Sequence, residues 1–271
     1  MVVIAQEASK VVLDPREYLT CGFGVAGSGK TSWCSEIDGA YFLKCEDGTK
    51  GVSVYGHNIL CWSDFIDSCV AILQQKQTSF EGVRPISTIV IDVYEALWKM
   101  AGEWICANER FIDKGKLEKY DKIEDAPYGK GYSRTSDLVL SKINKLMLSG
   151  FGVVLLSHAS EKTVKWAGRE YDRVGPNLSP KAQDALVDAC DAVGYFCIEE
   201  SISRDESNNV KKVEQGRYIY WQPTFTYRAK HRLKGFPDRV SYTYGKGWRE
   251  YKEVFEKVAR EVIVQRQGGG E

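Results

Sequence analysis

This sequence has no excess of either charge: 37 Lys plus Arg stand against 37 Asp plus Glu, for a formal net charge of zero. A constitutive nucleic-acid coat draws its affinity from releasing phosphate counterions and usually carries a basic excess. Any such role here has to rest on local patches or on assembly. Histidine is scarce, with three residues. The eight cysteines (Cys21, Cys34, Cys45, Cys61, Cys69, Cys106, Cys190, Cys197) form no CxxC pair and no Cys/His cluster of zinc spacing. Most lie in apolar runs such as YFLKC and VGYFC, the habit of buried, reduced thiols. No apolar run approaches bilayer length, and the amino terminus MVVIAQEASKVV lacks the basic-then-apolar layout of a signal peptide. The expectation is a cytoplasmic protein with no membrane partner. Internal repeats are also missing, and the only low-complexity stretch is the Gln-Gly-Gly-Gly-Glu tail.

What is present is ordinary globular composition, 43% apolar and 27% charged, over 271 residues, enough for one large α/β domain. Expected boundaries are an N-terminal segment at 1–17, one domain at 18–264 and a flexible tail at 265–271. Tyr18 to Phe23 is a short apolar run entering the Gly-rich stretch GVAGSGKT, and Lys30 to Ile37 then opens a helix. Tyr41 to Cys45 is a brief strand ending at the turn-forming Glu46-Asp47-Gly48. Trp62 to Gln75 has helical apolar spacing. Ile86 to Asp92 and Phe151 to Ser157 are β-branched or aliphatic runs suited to the buried centre of a parallel sheet. Helices are expected from Tyr94 to Arg110, Ser136 to Leu148, Lys181 to Val187 and Glu250 to Val264. Phe111 to Thr135 and Ala159 to Ser179 are polar and expected as loops. Ala192 to Glu199 should pair with Arg217 to Trp221 across a Ser207-Asn208-Asn209 turn. Strands alternating with helices predict an α/β fold: a mostly parallel central sheet, helices on both faces, and an antiparallel hairpin at one edge.

Gly24, Val25, Ala26, Gly27, Ser28, Gly29, Lys30 and Thr31 match the Walker A pattern, with Ser32 next in the helix. Glycines let several N–H groups converge on one phosphate, and the helix adds its positive end. Lys30 is expected to reach the β- and γ-phosphates and the Thr31 hydroxyl to bind Mg²⁺. The implied ligands are ATP and Mg²⁺. Asp92, ending the second strong strand, is the natural second contributor to the metal. Val93 follows it rather than another acid, so the carboxylate that activates water must come from elsewhere. Glu46 is the first candidate, with Asp47 and Glu95 as alternatives. His158 ends a buried strand, where ligands of such sheets bind.

Beyond these motifs, the chain carries CED-G after a strand, TIVID, YGKGY, VVLLSH, PNLSPKAQDAL, DAVGYF and a late RAKHR. The series, from about Tyr18 to about Glu256, resembles phage-encoded nucleotide-binding proteins with a minimal RecA-like core, a family that includes single-strand annealing proteins. The resemblance implies an ATPase of phage DNA recombination that binds single-stranded DNA and promotes annealing or strand exchange as a ring or filament in the host cytoplasm. A single-strand DNA-binding protein is a further implied partner. It also makes Glu46 the water-activating glutamate and sets His158 where RecA couples nucleotide state to a DNA loop. That loop is then Ser160 to Gly175, with Lys162, Lys165, Trp166, Arg169, Tyr171 and Arg173. These cations and aromatics suit phosphates and bases, although Glu161, Glu170 and Asp172 interleave with them. Lys114, Lys116 and Lys119 would lie in a first DNA loop. Lys230 and Arg232, two apart and on one face if extended, resemble fingers reaching a neighbouring subunit's γ-phosphate. Two other readings of the motifs are a small-molecule P-loop kinase and a nucleotide-dependent switch that docks a protein partner.

Overall fold

The computed structural model describes residues 11–77, 85–204 and 210–268. In chain order it forms β1 (Leu19–Gly24), α1 (Lys30–Ser35), β2 (Ala40–Lys44), β3 (Gly56–Asn58), α2 (Trp62–Gln77), β4 (Thr88–Asp92) and α3 (Tyr94–Asn108). There follow β5 (Phe111–Asp113), β6 (Lys116–Glu118), α4 (Lys130–Leu148), β7 (Gly152–Trp166), β8 (Arg169–Pro176) and α5 (Pro180–Ala189). The chain closes with β9 (Ala192–Arg204), β10 (Val210–Tyr220), β11 (Lys230–His231), β12 (Arg239–Ser241) and α6 (Gly247–Gly268).

One sheet organises the molecule, in the order β12-β10-β9-β1-β7-β4-β2-β3, with β11 beside β9 and β8 beside β7. From β9 to β3 every pairing along this path is parallel, and β10 and β12 extend it antiparallel. The arrangement is the expected α/β fold: a mostly parallel central sheet, helices on both faces and an antiparallel extension at one edge. Alternation along the buried strands sends side chains to two separate cores. Ile89, Ile91, Val153 and Leu155 join Trp62, Phe65, Leu97, Ile143 and Leu186 from α2 to α5. Val90, Val154, Leu156 and Phe196 face the other way, onto Trp33 of α1 and Tyr251 and Phe255 of α6. Each fully buried aliphatic or aromatic chain contributes roughly 1.5–3 kcal/mol, which is why runs such as TIVID become the sheet's centre.

Two expected loops are structured. The segment Phe111 to Thr135 contains the β5–β6 hairpin, which turns on Lys114 (φ 47°) and Gly115 (φ 82°), and α4 already begins at Lys130. Its first turn hides a tight contact: a Cβ on Gly131 would stand 2.2 Å from the Ile123 carbonyl oxygen, so only glycine fits. Ala159 to Ser179 is largely a hairpin. β7 runs on past the sheet and pairs with β8, turning on Ala167 (φ 49°) and Gly168 (φ 76°). Two consecutive residues at positive φ match the twist of a two-residue hairpin. With polar residues on both of its surfaces, this ribbon shows no apolar alternation to read. The expected β9–β10 pairing holds, with Ile198 opposite Arg217 and Tyr195 opposite Tyr220. Its Ser207-Asn208-Asn209 turn lies outside the described residues. Among those residues no helix is long and apolar enough to cross a membrane.

Candidate functional site

The phosphate-binding loop is fixed from both ends. β1 is buried along its whole length. At its tip a Cβ on Gly24 would lie 2.5 Å from the Phe196 carbonyl oxygen and 2.8 Å from Ser28 Oγ. The loop then turns on Gly27 (φ 76°) and Gly29 (φ 101°), with Ser28 Oγ donating to the Val25 carbonyl at 2.8 Å. α1 starts at Lys30 without a side-chain cap, so its first amides are left for an outside acceptor. Lys30 is 7% exposed and donates from Nζ to the carbonyls of Gly24 (2.8 Å) and Val25 (3.0 Å). Burial draws its pKa down, against the pull of Asp92, Glu95 and Glu46.

Four neighbouring strands deliver the rest to the same edge. Gly24 of β1 is level with His158 of β7, and Lys44 of β2 is level with Asp92 of β4. The Cys45 amide donates to the Asp92 carbonyl (2.7 Å), which brings Glu46 beside them. The Thr31 hydroxyl crosses β7 to donate to Asp92 Oδ2 at 2.9 Å. Burial raises the Asp92 carboxyl above its ordinary value, while Thr31 and Lys30 oppose the shift. This hydroxyl–carboxylate pair fits Mg²⁺, which takes most of its oxygens from phosphate and water. Among the described residues no cluster of three His, Cys, Asp or Glu is placed to hold a metal alone.

His158 stands between two acids. Its amide donates to Glu95 Oε1 at 2.9 Å, and its Nδ1 lies 2.7 Å from the same oxygen. A carboxylate only accepts, so the hydrogen sits on Nδ1 and Nε2 faces Glu46 Oε1 at 3.5 Å. Glu46 is raised by burial and eased down by His158. Glu95 gives Oε1 to His158 and leaves Oε2 buried without a partner, and Asp47 pairs with Lys50 (2.6 Å) in an exposed turn. Glu46 and Glu95 both act on Lys30, and Glu46 is the more exposed of the two, at 38% against 14%.

The remaining candidates lie elsewhere. Lys230 donates to the carbonyls of Val187 (2.8 Å) and Asp188 (3.0 Å) at the end of α5, and Arg232 pairs with Asp191 (2.7 Å). β11 meets β9 at Ala192 and Val193, whereas Gly24 meets β9 at Phe196. The two cations therefore occupy the opposite end of the sheet from Lys30. Lys114, Lys116 and Lys119 are exposed on the β5–β6 hairpin and its exit. On the β7–β8 hairpin, residues directly opposite share a face. Lys162 pairs with Arg173, Val164 with Tyr171 and Trp166 with Arg169, while Glu161, Thr163, Lys165, Glu170, Asp172 and Val174 fall on the other face. The acids that interleave in sequence are thereby sorted away from all the cations but Lys165, which pairs with Glu170 at 2.9 Å. Lys162 also donates to the Leu178 carbonyl, Arg173 to Phe225 (3.0 Å), and Tyr171 stacks on Phe225.

Three residues at the loop escape sequence reasoning. Arg217 of β10 donates to the Gly27 carbonyl (3.2 Å), Tyr242 donates to that of Gly29 (3.1 Å), and the Arg217 guanidinium lies 4.8 Å over the Tyr244 ring. They reach the loop only because β10 pairs with β9 and β9 with β1; no local spacing links residue 217 to residue 27.

A family model described as AAA domain matches residues 17–233, well over half of the chain. The solved structure of a KaiC-like protein from the hyperthermophilic archaeon Pyrococcus horikoshii is a loose likeness. It has 12% identity and a TM-score of 0.40, covering 85% of this chain and 87% of that one. No curated protein matches the sequence.

Proposed function

This chain belongs to the AAA domain family, and we propose that it is an ATP-hydrolysing, RecA-like protein of phage recombination. In this reading it holds single-stranded DNA on the β7–β8 hairpin and promotes annealing or strand exchange as a multimer. One observation carries the proposal: β7 is a single continuous strand that bears His158 at the phosphate loop and then Lys162 on the hairpin's cationic face. A change at the site thus has a backbone path to the hairpin.

The loop amides and Lys30 would hold the phosphates, and Thr31 with Asp92 the cation. Bound Mg²⁺ would supply charge neutralisation on the β- and γ-phosphates. Glu46 would take the proton of an attacking water, and its raised pKa makes it a stronger base than an ordinary glutamate. His158, whose amide and Nδ1 both meet Glu95 Oε1, forms the wall of the site beside Glu46. Lys230 and Arg232 serve the end of α5 within the chain, so reaching a neighbouring copy requires them to leave those carbonyls. A small-molecule kinase needs a lid of arginines over the donor; the segment 111–132 has none.

The test is ATP turnover with and without single-stranded DNA. Lys30→Ala and Glu46→Gln should each lower it at least about a hundredfold, with Glu46→Gln still binding ATP. Full turnover in Lys30→Ala would sink the phosphate-loop assignment. DNA-independent turnover unchanged in Glu46→Gln, with no strand binding in any nucleotide state, would leave a protein-docking switch instead.

A further inference from the structure

We infer that Tyr244, backed by Arg217, is a shelf for the nucleotide base, giving the phosphate loop its preference for a nucleoside triphosphate over a bare phosphate chain. The inference rests on the nucleotide-binding reading above and assigns the end of the ligand that reading leaves open.

The shelf begins with exposure. Tyr244 is 52% exposed, and Val25 of the phosphate loop is 53% exposed. An aromatic ring half exposed beside a phosphate cradle leaves apolar surface in water on the side that Arg217 does not cover. Its mounting is rigid. The Tyr242 amide donates to the Arg217 carbonyl (2.8 Å), and the Lys246 amide closes a turn onto the Thr243 carbonyl (3.0 Å). The Thr243 amide is anchored on Glu250 Oε2 (2.9 Å), and Gly245 at φ 76° completes the turn. Tyr244 thus sits on a turn pinned to β10 on one side and to α6 on the other.

The same turn is pressed against the phosphate loop. A Cβ on Gly29 would stand 2.3 Å from Tyr242 Cε1, and the Tyr242 hydroxyl donates to the Gly29 carbonyl. Arg217 links shelf and cradle directly, donating to the Gly27 carbonyl while its guanidinium lies over the Tyr244 ring. A Cβ on Gly27 would meet nothing within 4 Å, so the space above the loop at that point is open. A base attached to phosphates in the cradle therefore has a planar ring and a planar cation within one short span of the loop. Both surfaces read the π-face of a base rather than its hydrogen-bonding edge, so the ligand class is a nucleoside triphosphate with weak discrimination between bases.

The experiment compares ATP with inorganic tripolyphosphate, each titrated in Mg²⁺ against the full-length protein and against Tyr244→Ala and Tyr244→Phe. ATP should bind the unaltered protein more tightly than tripolyphosphate. Tyr244→Ala should weaken ATP about tenfold, the scale of one lost base–aromatic stack, and leave tripolyphosphate unchanged; Tyr244→Phe should behave as the unaltered protein. Equal weakening of both ligands by Tyr244→Ala would show that Tyr244 only braces the loop and would overturn the shelf. So would unaltered ATP binding in that variant. An unaltered protein that binds neither ligand would overturn the nucleotide-binding reading itself, a result distinct from either of those.

Discussion

Asp92 shows how a single residue is held at a cost to the fold. Burial raises its pKa in the folded chain above the ordinary carboxylate value. The folded state therefore keeps its proton to higher pH than the unfolded chain does. Stability contributed by this group is greatest in acid and falls as pH rises through the raised value, so at neutral pH the charge is a standing cost. Asp92→Asn can still accept the Thr31 hydroxyl. Without metal or nucleotide, it should unfold at a higher urea concentration than the unaltered protein at pH 7, with the gap narrowing toward pH 4. The same variant should lose Mg²⁺-dependent turnover. A lower midpoint at pH 7 would mean that the Thr31 contact outweighs the burial. Asp92 was legible in sequence because it ends a run of β-branched residues. Glu46 was legible as the acid after the strand that follows the loop's helix. That Glu95 braces His158 was not legible, since it depends on α3 starting beside β7.

At the scale of elements, β11 and α6 meet through His231. Its Nδ1 accepts from the Leu233 amide (3.2 Å), which puts the ring hydrogen on Nε2 toward the Tyr251 hydroxyl (3.3 Å). The ring stacks on Phe236 at 3.7 Å. Burial pulls its pKa from 6.5 down to about 3. Between those values the unfolded chain binds a proton that the folded one refuses, so this group's contribution is intact above pH 6.5 and is lost progressively as pH falls toward 3. An NMR titration should find His231 still neutral at pH 5. The urea midpoint should fall below pH 6.5 more steeply than in His231→Asn, whose side-chain oxygen can accept from Leu233. Equal slopes would remove His231 from the acid response. Sequence shows α6 as an amphipathic helix, yet gives no hint that its apolar stripe closes a second core with Trp33 and Trp221.

At the scale of the whole molecule, the hairpin converts a neutral sequence into a one-sided surface. The 160–175 segment mixes three acids with four bases along the chain, and pairing then separates most of them by face. If single-stranded DNA lies on the cationic face, Arg169→Ala should weaken binding and flatten the salt dependence by about 0.7 in log–log slope, one phosphate's share for single strands. Lys165→Ala, on the acidic face, should change neither. Equal losses in both, measured by fluorescence anisotropy across a salt series, would place the strand elsewhere.

Local chemistry alone determined the phosphate loop, the buried parallel strands and Asp92, because each is decided within about ten residues by glycine freedom, β-branching and a strand's end. Tertiary structure decided everything that depends on which strands become neighbours. It brought Gly24, Glu46, Asp92 and His158 to one edge and sent Lys230 and Arg232 to the other. It sorted the hairpin's charges and carried Arg217, 190 residues from Gly27 in the chain, and Tyr244 to the phosphate loop. Sheet pairing is a long-range choice, made by burying two cores at once, and no stretch of sequence read alone contains it.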